Sequence, residues 1–177
     1  MTKKKLIYTG VGARETPEPV LDLMAVIAAQ MAMSGWTLRS GHAQGADMAF
    51  EHGCVTARGR CEIYVPWERF NGASLTAIVG NPEHFEIAKH FHPAWDKCSE
   101  AVRKLHARNV DQVVGYNTDT PSNLVICWTE KGKRGGGTGQ ALRIAEHLEI
   151  PIFDLAILGE KEKLVQFVNQ LEKTNGG

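Results

Sequence analysis

The sequence predicts an α/β protein, with a mainly parallel sheet flanked by helices in a single domain over residues 1–177. Three observations lead there. Short apolar runs of strand character alternate with longer segments of helical periodicity, the order of a parallel sheet joined by crossover helices. The chain has 177 residues, one domain by length and enough to bury a full core. Hydrophobic residues make up 43% and charged residues 23%, a globular composition that excludes a disordered chain.

Each element follows from local pattern. Leu6-Ile7-Tyr8-Thr9 reads as a short buried strand ending at Gly10. Pro17 to Met33 reads as a helix, because Val20, Met24, Ile27, Ala28 and Met31 recur at helical spacing. Thr16 is placed to cap it, with Pro17 at the first helical position. Trp36 to Ser40 is the second strand, Ala46 to Ala57 the second helix, and Cys61 to Val65 a third strand stopped by Pro66. Residues 66–94 carry Phe70-Asn71-Gly72, Gly80-Asn81-Pro82 and His92-Pro93, all loop signals, and read as an irregular insertion or lid. Trp95 to Val114 is mostly helical. Leu124 to Trp128 is the clearest buried strand. A glycine run follows, then a helix from about Gln140 to Leu148, a last strand over Ile150 to Leu155 and a final helix over Glu160 to Lys173.

Charge and cysteine usage narrow the function classes. Lys+Arg and Asp+Glu are both 20, so the formal net charge is zero. That excludes a strongly basic body built to coat nucleic acid, while leaving room for a local basic groove. No apolar run approaches the roughly 18 residues of a spanning helix. The basic start Met1–Lys5 is followed by an apolar stretch too short for a leader. A cytoplasmic protein without membrane contact is therefore expected. Cys54, Cys61, Cys98 and Cys127 are scattered, with no C-x-x-C pair, so neither a disulfide framework nor a zinc knuckle is signalled. Cys127 sits in an apolar run and reads as a core thiol. His84, His90 and His92 match no i, i+4 ligand pair and read as surface histidines, so no metal is expected.

Glycine is the outlier, 18 of 177 residues against a usual share of about 7%, and its placement points to a site. Three predicted strand-to-helix junctions are glycine-rich: Gly10-Val11-Gly12-Ala13-Arg14, Ser40-Gly41-His42-Ala43-Gln44-Gly45-Ala46-Asp47, and Gly135-Gly136-Gly137-Thr138-Gly139-Gln140. In a parallel sheet these loops leave one edge, where ligands bind. Glycine lets a backbone approach an anion, and the following helix N-terminus offers free N–H groups and a positive dipole end. No G-K-[ST] follows any of the loops, which excludes a P-loop, and Gly10-x-Gly12 has no third glycine at Glu15, which excludes the dinucleotide fingerprint. No cofactor is implied. Taken singly, the first loop is as well explained by a tight turn, the third by a flexible surface loop, and Asp47 by its stabilising place in a first helical turn. Pro66-Trp67 and Phe70-Asn71 follow the third strand on the same edge, where an aromatic could stack a base or simply pack.

Gly12-Ala13-Arg14, then Ser40-Gly41-His42-Ala43-Gln44-Gly45-Ala46-Asp47, then the late glycine loop, resemble the SLOG superfamily. That group joins the DprA/Smf DNA-processing proteins and the LOG-type nucleotide phosphoribohydrolases. The middle motif is similar to the family's S-G-G-A-x-G-x-D, with His42 at the usual second glycine. The resemblance covers about residues 5–60 and 105–155. It implies a Rossmann-like fold, a nucleotide-type ligand and self-association. Leu105-His106-Ala107-Arg108-Asn109 is similar to the hydrolases' H-x-R-K helix, so Arg108 is the candidate catalytic arginine. Gly137-Thr138 is similar to their G-T step. The glutamate they carry three residues after that threonine falls at Ala141 here, with Gln140 beside it, and neither ionises. Glycosidic cleavage calls on a carboxylate.

The expectation is therefore binding of a nucleotide or nucleotide-derived ligand. Phosphate would be held by the loops Gly41–Gly45 and Gly135–Gly139 with Thr138 and Arg14, and ribose hydroxyls by Asp47. Two alternatives stand beside it. One is a nucleoside 5'-monophosphate N-glycosidase with a relocated acid. The other is a DprA-like single-stranded DNA binder, less favoured at zero net charge.

Overall fold

A computed structural model describes residues 4–176. The first three residues of the basic start, and the last glycine, lie outside it. The chain forms β1 (Ile7–Gly10), α1 (Glu18–Met33), β2 (Thr37–Ser40), α2 (Ala46–Thr56), β3 (Arg60–Val65), β4 (Ile78–Val79), α3 (His84–His90), α4 (Glu100–Val114), β5 (Leu124–Cys127), α5 (Gly136–His147), β6 (Ile152–Asp154) and α6 (Glu160–Asn175). All neighbouring strands pair in parallel. Their order is β4-β3-β2-β1-β5-β6. This is the expected α/β, Rossmann-like architecture.

The strand order reverses between β1 and β5. The chain runs outward from β1 through β4, then returns to lay β5 on the other side of β1, pairing Tyr8 with Leu124. Loops leaving β1 and β5 therefore part to opposite sides of the sheet and open a crevice at the strands' carboxyl ends.

Side chains on β5 alternate between two cores, as a pleated strand covered on both faces requires. Leu124 and Ile126 join Met24, Trp36, Phe50 and Leu164 under α1, α2 and α6. Val125 and Cys127 join Val110, Val113, Ala141 and Ile144 under α4 and α5. Arg39 is a buried cation in β2. Its Nε donates to Glu62 at 2.7 Å, and its Nη2 to Thr120 Oγ1 at 2.9 Å.

Four local expectations are corrected. Thr16 does not cap α1: its hydroxyl donates backward to Ala13 O at 2.6 Å, and Pro17 occupies the cap position. The α5 helix starts at Gly136 rather than near Gln140, so the glycine run is itself the first turn. Low helix propensity hid this, and packing of the later apolar face overrides it. Residues 66–94 contain β4 and α3 as well as turns, so the sheet has six strands rather than five. His84 is not on the surface. It is 2% exposed, with Nδ1 at 2.9 Å from Asp111 Oδ1.

Candidate functional site

A cavity of about 450 Å³ opens at the crevice between the ends of β1 and β5, a size that suits a small-molecule ligand. Five segments wall it. Val11 to Glu15 follow β1, Ala43 and Asp47 come from the second glycine loop and the start of α2, and Trp128 to Glu130 follow β5. Lys133 and Gly135 to Thr138 form the α5 entrance, and α4 adds a stripe from Val102 to Gln112.

The three glycine loops play different parts. In the first two, glycine allows close packing of the protein on itself. A Cβ at Gly10 would lie 2.6 Å from the Phe50 ring, and one at Gly12 would lie 2.5 Å from Ala46 Cβ. At Gly45, with φ of +85°, it would meet Arg14 O at 2.9 Å. A Cβ at Gly41 would overlap the Arg108 guanidinium. The third loop is different. Gly135 and Gly136 have nothing within 4 Å of a built Cβ, so their lack of side chains leaves open space above the α5 N-terminus. That terminus has no side-chain cap and no acidic residue in its first turn. Its free N–H groups and positive dipole end are available to an anion.

Arg14 is exposed at the same cavity, and its side chain makes no ion pair or hydrogen bond among the described residues. Lys133 reaches Glu130 only at 3.7 Å. Cations near an uncapped helix start make this end of the cavity anion-accepting.

The opposite wall is a buried charge network. Asp47 is 4% exposed, and its Oδ2 accepts the N–H groups of Gly41 at 3.2 Å and Ala43 at 3.3 Å. Burial pushes its pKa up to about 6, against the opposing pull of the Arg108 guanidinium. Arg108 is itself buried. Its Nη1 donates to Gly41 O, its Nε to Asn109 Oδ1 at 3.2 Å, and it lies 5.6 Å from the centre of the Phe70 ring. Burial lowers its pKa, and Asp47 partly restores it. His106, further along α4, is also pulled down, first by burial.

The sequence-derived candidates divide accordingly. Gly12, Arg14, Ala43, Asp47, Arg108, Gly135, Gly136, Gly137 and Thr138 come together on the cavity wall. Gly10, Ser40, Gly41, His42, Gly45, Gly139 and Gln140 do not line it. Ser40 Oγ and the His42 N–H both donate to Glu51 Oε1, at 2.6 and 3.0 Å, and His42 Nδ1 lies 2.6 Å from Glu51 Oε2. His42 has φ of 55°, the left-handed region that a glycine there would occupy freely. Gln140 is fully buried. Its Oε1 faces His106 Nδ1 at 2.7 Å, and its Nε2 donates to Ala88 O at 3.0 Å. Phe70 packs under Arg108, and neither it nor Trp67 reaches the cavity. Ala141 is 1% exposed and belongs to the core under α5.

Sequence reasoning missed the α4 stripe Val102, Leu105, Asn109 and Gln112. Its spacing of three, four and three residues puts it on one helix face. The mixture of apolar and amide residues on that face was the available clue.

No protein-family model and no curated protein matches this chain. Solved structures do share its fold. The molybdenum cofactor carrier protein of Chlamydomonas reinhardtii matches at 18% identity with a TM-score of 0.54, over 94% of this chain and 86% of the carrier. DNA processing protein A of Helicobacter pylori, a single-stranded DNA binder, matches at 17% identity with a TM-score of 0.56, over 96% of this chain and 81% of its own. At these identities the likeness establishes the fold alone.

Proposed function

We propose that this protein binds a nucleotide or nucleotide-derived ligand, as a cytosolic, self-associating member of the SLOG superfamily. The observation that carries the reading is the uncapped α5 N-terminus, with open space over Gly135 and Gly136, on the same cavity as Arg14, which has no side-chain partner among the described residues. Phosphate belongs at that end, where N–H groups and a guanidinium converge. Asp47 is an acceptor for sugar hydroxyls, and Trp128 offers an aromatic face to a base. The fold neighbours carry a molybdenum cofactor in one case and single-stranded DNA in the other, so ligand binding at large agrees with both. A DNA-binding role ranks lower, because the chain is neutral overall and the cavity walls hold acids as well as bases.

A second reading rests on Asp47. It is a carboxyl group on the cavity wall with a pKa of about 6, close to the working range of a general acid or base. An N-glycosidase built on this chain would use Asp47, since position 141 faces the core.

Gly135→Asp separates phosphate binding from folding. An aspartate at the N-cap satisfies free N–H groups and keeps or slightly raises stability, by a few tenths of a kcal/mol over glycine. It also places a negative charge where phosphate would sit, costing several kcal/mol, so affinity for nucleoside monophosphates should fall more than about tenfold. Calorimetric titration with a nucleoside-monophosphate panel, beside a melting curve, reads both. Unchanged affinity in a folded variant would refute the assignment of phosphate to this end.

A further inference from the structure

His92, Cys98 and His106 stand together at the base of the α3–α4 connection, and no part of the nucleotide reading uses their donor atoms. One donor atom from each lies within 4.8 Å of the other two. Cys98 Sγ is 3.8 Å from both ring nitrogens of His92. The His92 and His106 ring centres are 4.3 Å apart. In a tetrahedral zinc site, bond lengths of about 2.3 Å to sulfur and 2.0–2.1 Å to nitrogen put those two donors roughly 3.6 Å apart. The observed separation is already close to that value.

The groups that orient His106 are also in place. Gln140 Nε2 donates to Ala88 O, and its Oε1 accepts from Asn109 Nδ2 at 3.1 Å. The amide is therefore oriented with its oxygen toward His106, so His106 Nδ1 must donate in the 2.7 Å contact. That fixes the tautomer and leaves the Nε2 lone pair free, the arrangement that orients metal-bound histidines. Apart from Cys98 Sγ, the hydrogen-bond partner of the His92 ring among the described residues is the Ala94 N–H, which donates to Nδ1 at 3.1 Å. The ring can exchange that contact for a metal at little cost. Cys98 is partly exposed, and the other partner of its thiol among the described residues is Ala94 O at 3.5 Å.

We propose that His92, Cys98 and His106 form a binding site for a thiophilic divalent cation, zinc by donor chemistry. Two imidazoles and a thiolate suit zinc, and three protein donors leave one position for water or a ligand atom. Binding replaces the Cys98 S–H bond with a sulfur–metal bond and releases the proton to solvent. The thiolate supplies the negative charge that a cation needs near the guanidiniums of Arg103 and Arg143, which stand on Trp95 O and Phe91 O. The metal would pin the segment from His92 to Cys98 onto α4 beside the cavity wall, since His106 also lines the cavity. The sequence hid this site because His92, Cys98 and His106 follow no helical or knuckle spacing.

Cobalt(II) titration of the chelator-stripped full-length protein tests it. One equivalent should give a thiolate-to-cobalt charge-transfer absorption with strong visible bands of low coordination number, and zinc should displace it. Cys98→Ser should abolish the charge-transfer absorption while circular dichroism stays native. His92→Asn should weaken cobalt binding by more than about tenfold, at least the loss seen when a residue that only orients a metal ligand is removed. No charge-transfer band in the native protein would overturn the proposal. So would a band that survives Cys98→Ser, which would point to the Cys54 and Cys61 thiols, or an unchanged affinity in His92→Asn.

Discussion

Replacing Asp47 by asparagine tests the electrostatics of the cavity wall. The carboxyl is buried, and its pKa is raised from 3.8 to about 6. Because the folded-state value lies above the unfolded one, the folded protein takes up the proton first as pH falls. The native chain therefore gains stability from this group as pH drops through about 6, and lacks that gain near neutrality. A shift from 3.8 to about 6 amounts to about 3 kcal/mol in full, of which about 2 kcal/mol appears between about pH 7 and pH 4.5. Asparagine keeps an acceptor oxygen for the Gly41 and Ala43 N–H groups but has nothing to titrate. The variant should equal or exceed the native protein in stability at neutral pH and fall behind it in acid. Urea unfolding of both proteins at matched pH values measures the difference, and other titrating groups such as Asp111 cancel in the comparison. Parallel stability profiles would refute the idea that burial holds this carboxyl near pH 6.

Two further outcomes follow from the cavity geometry. Arg14→Ala should reduce affinity for nucleoside monophosphates by about 10–100-fold, the loss of one charge-assisted hydrogen bond. Its melting temperature should not move, because the exposed side chain makes no ion pair or hydrogen bond among the described residues, and unchanged affinity on calorimetric titration would remove Arg14 from the site. Gly45→Ala should destabilise the fold by more than about 2 kcal/mol in denaturant titration, combining a left-handed backbone with overpacking. The Cβ would lie 2.9 Å from the Arg14 carbonyl, so a neutral result would mean that the first two loops do not lock together as described.

The alternation of strand and helix was legible because most elements carry their own periodicity. Leu124 to Cys127 is fully apolar, and the α1 face repeats at helical spacing. β4 was not legible, since two residues carry no pattern, and α3 is a seven-residue helix bounded by loop residues. For the site, glycine runs at strand ends located the crevice but could not separate two uses of glycine. Gly12 and Gly41 serve contacts within the protein, whereas Gly135 and Gly136 face open space. Only the partners decide, and they come from distant segments. His42 is a local case of the same kind, its ring taken by Glu51, nine residues on in α2.

Equilibrium dialysis of a nucleoside-monophosphate panel against the pure protein, with chromatography of both compartments, tests the central claim most directly. At least one nucleotide should be enriched on the protein side, recovered intact, and displaced by excess inorganic phosphate. Equal concentrations of every nucleotide on both sides would contradict it. Release of free base would instead favour the hydrolytic reading and make Asp47 the first residue to replace.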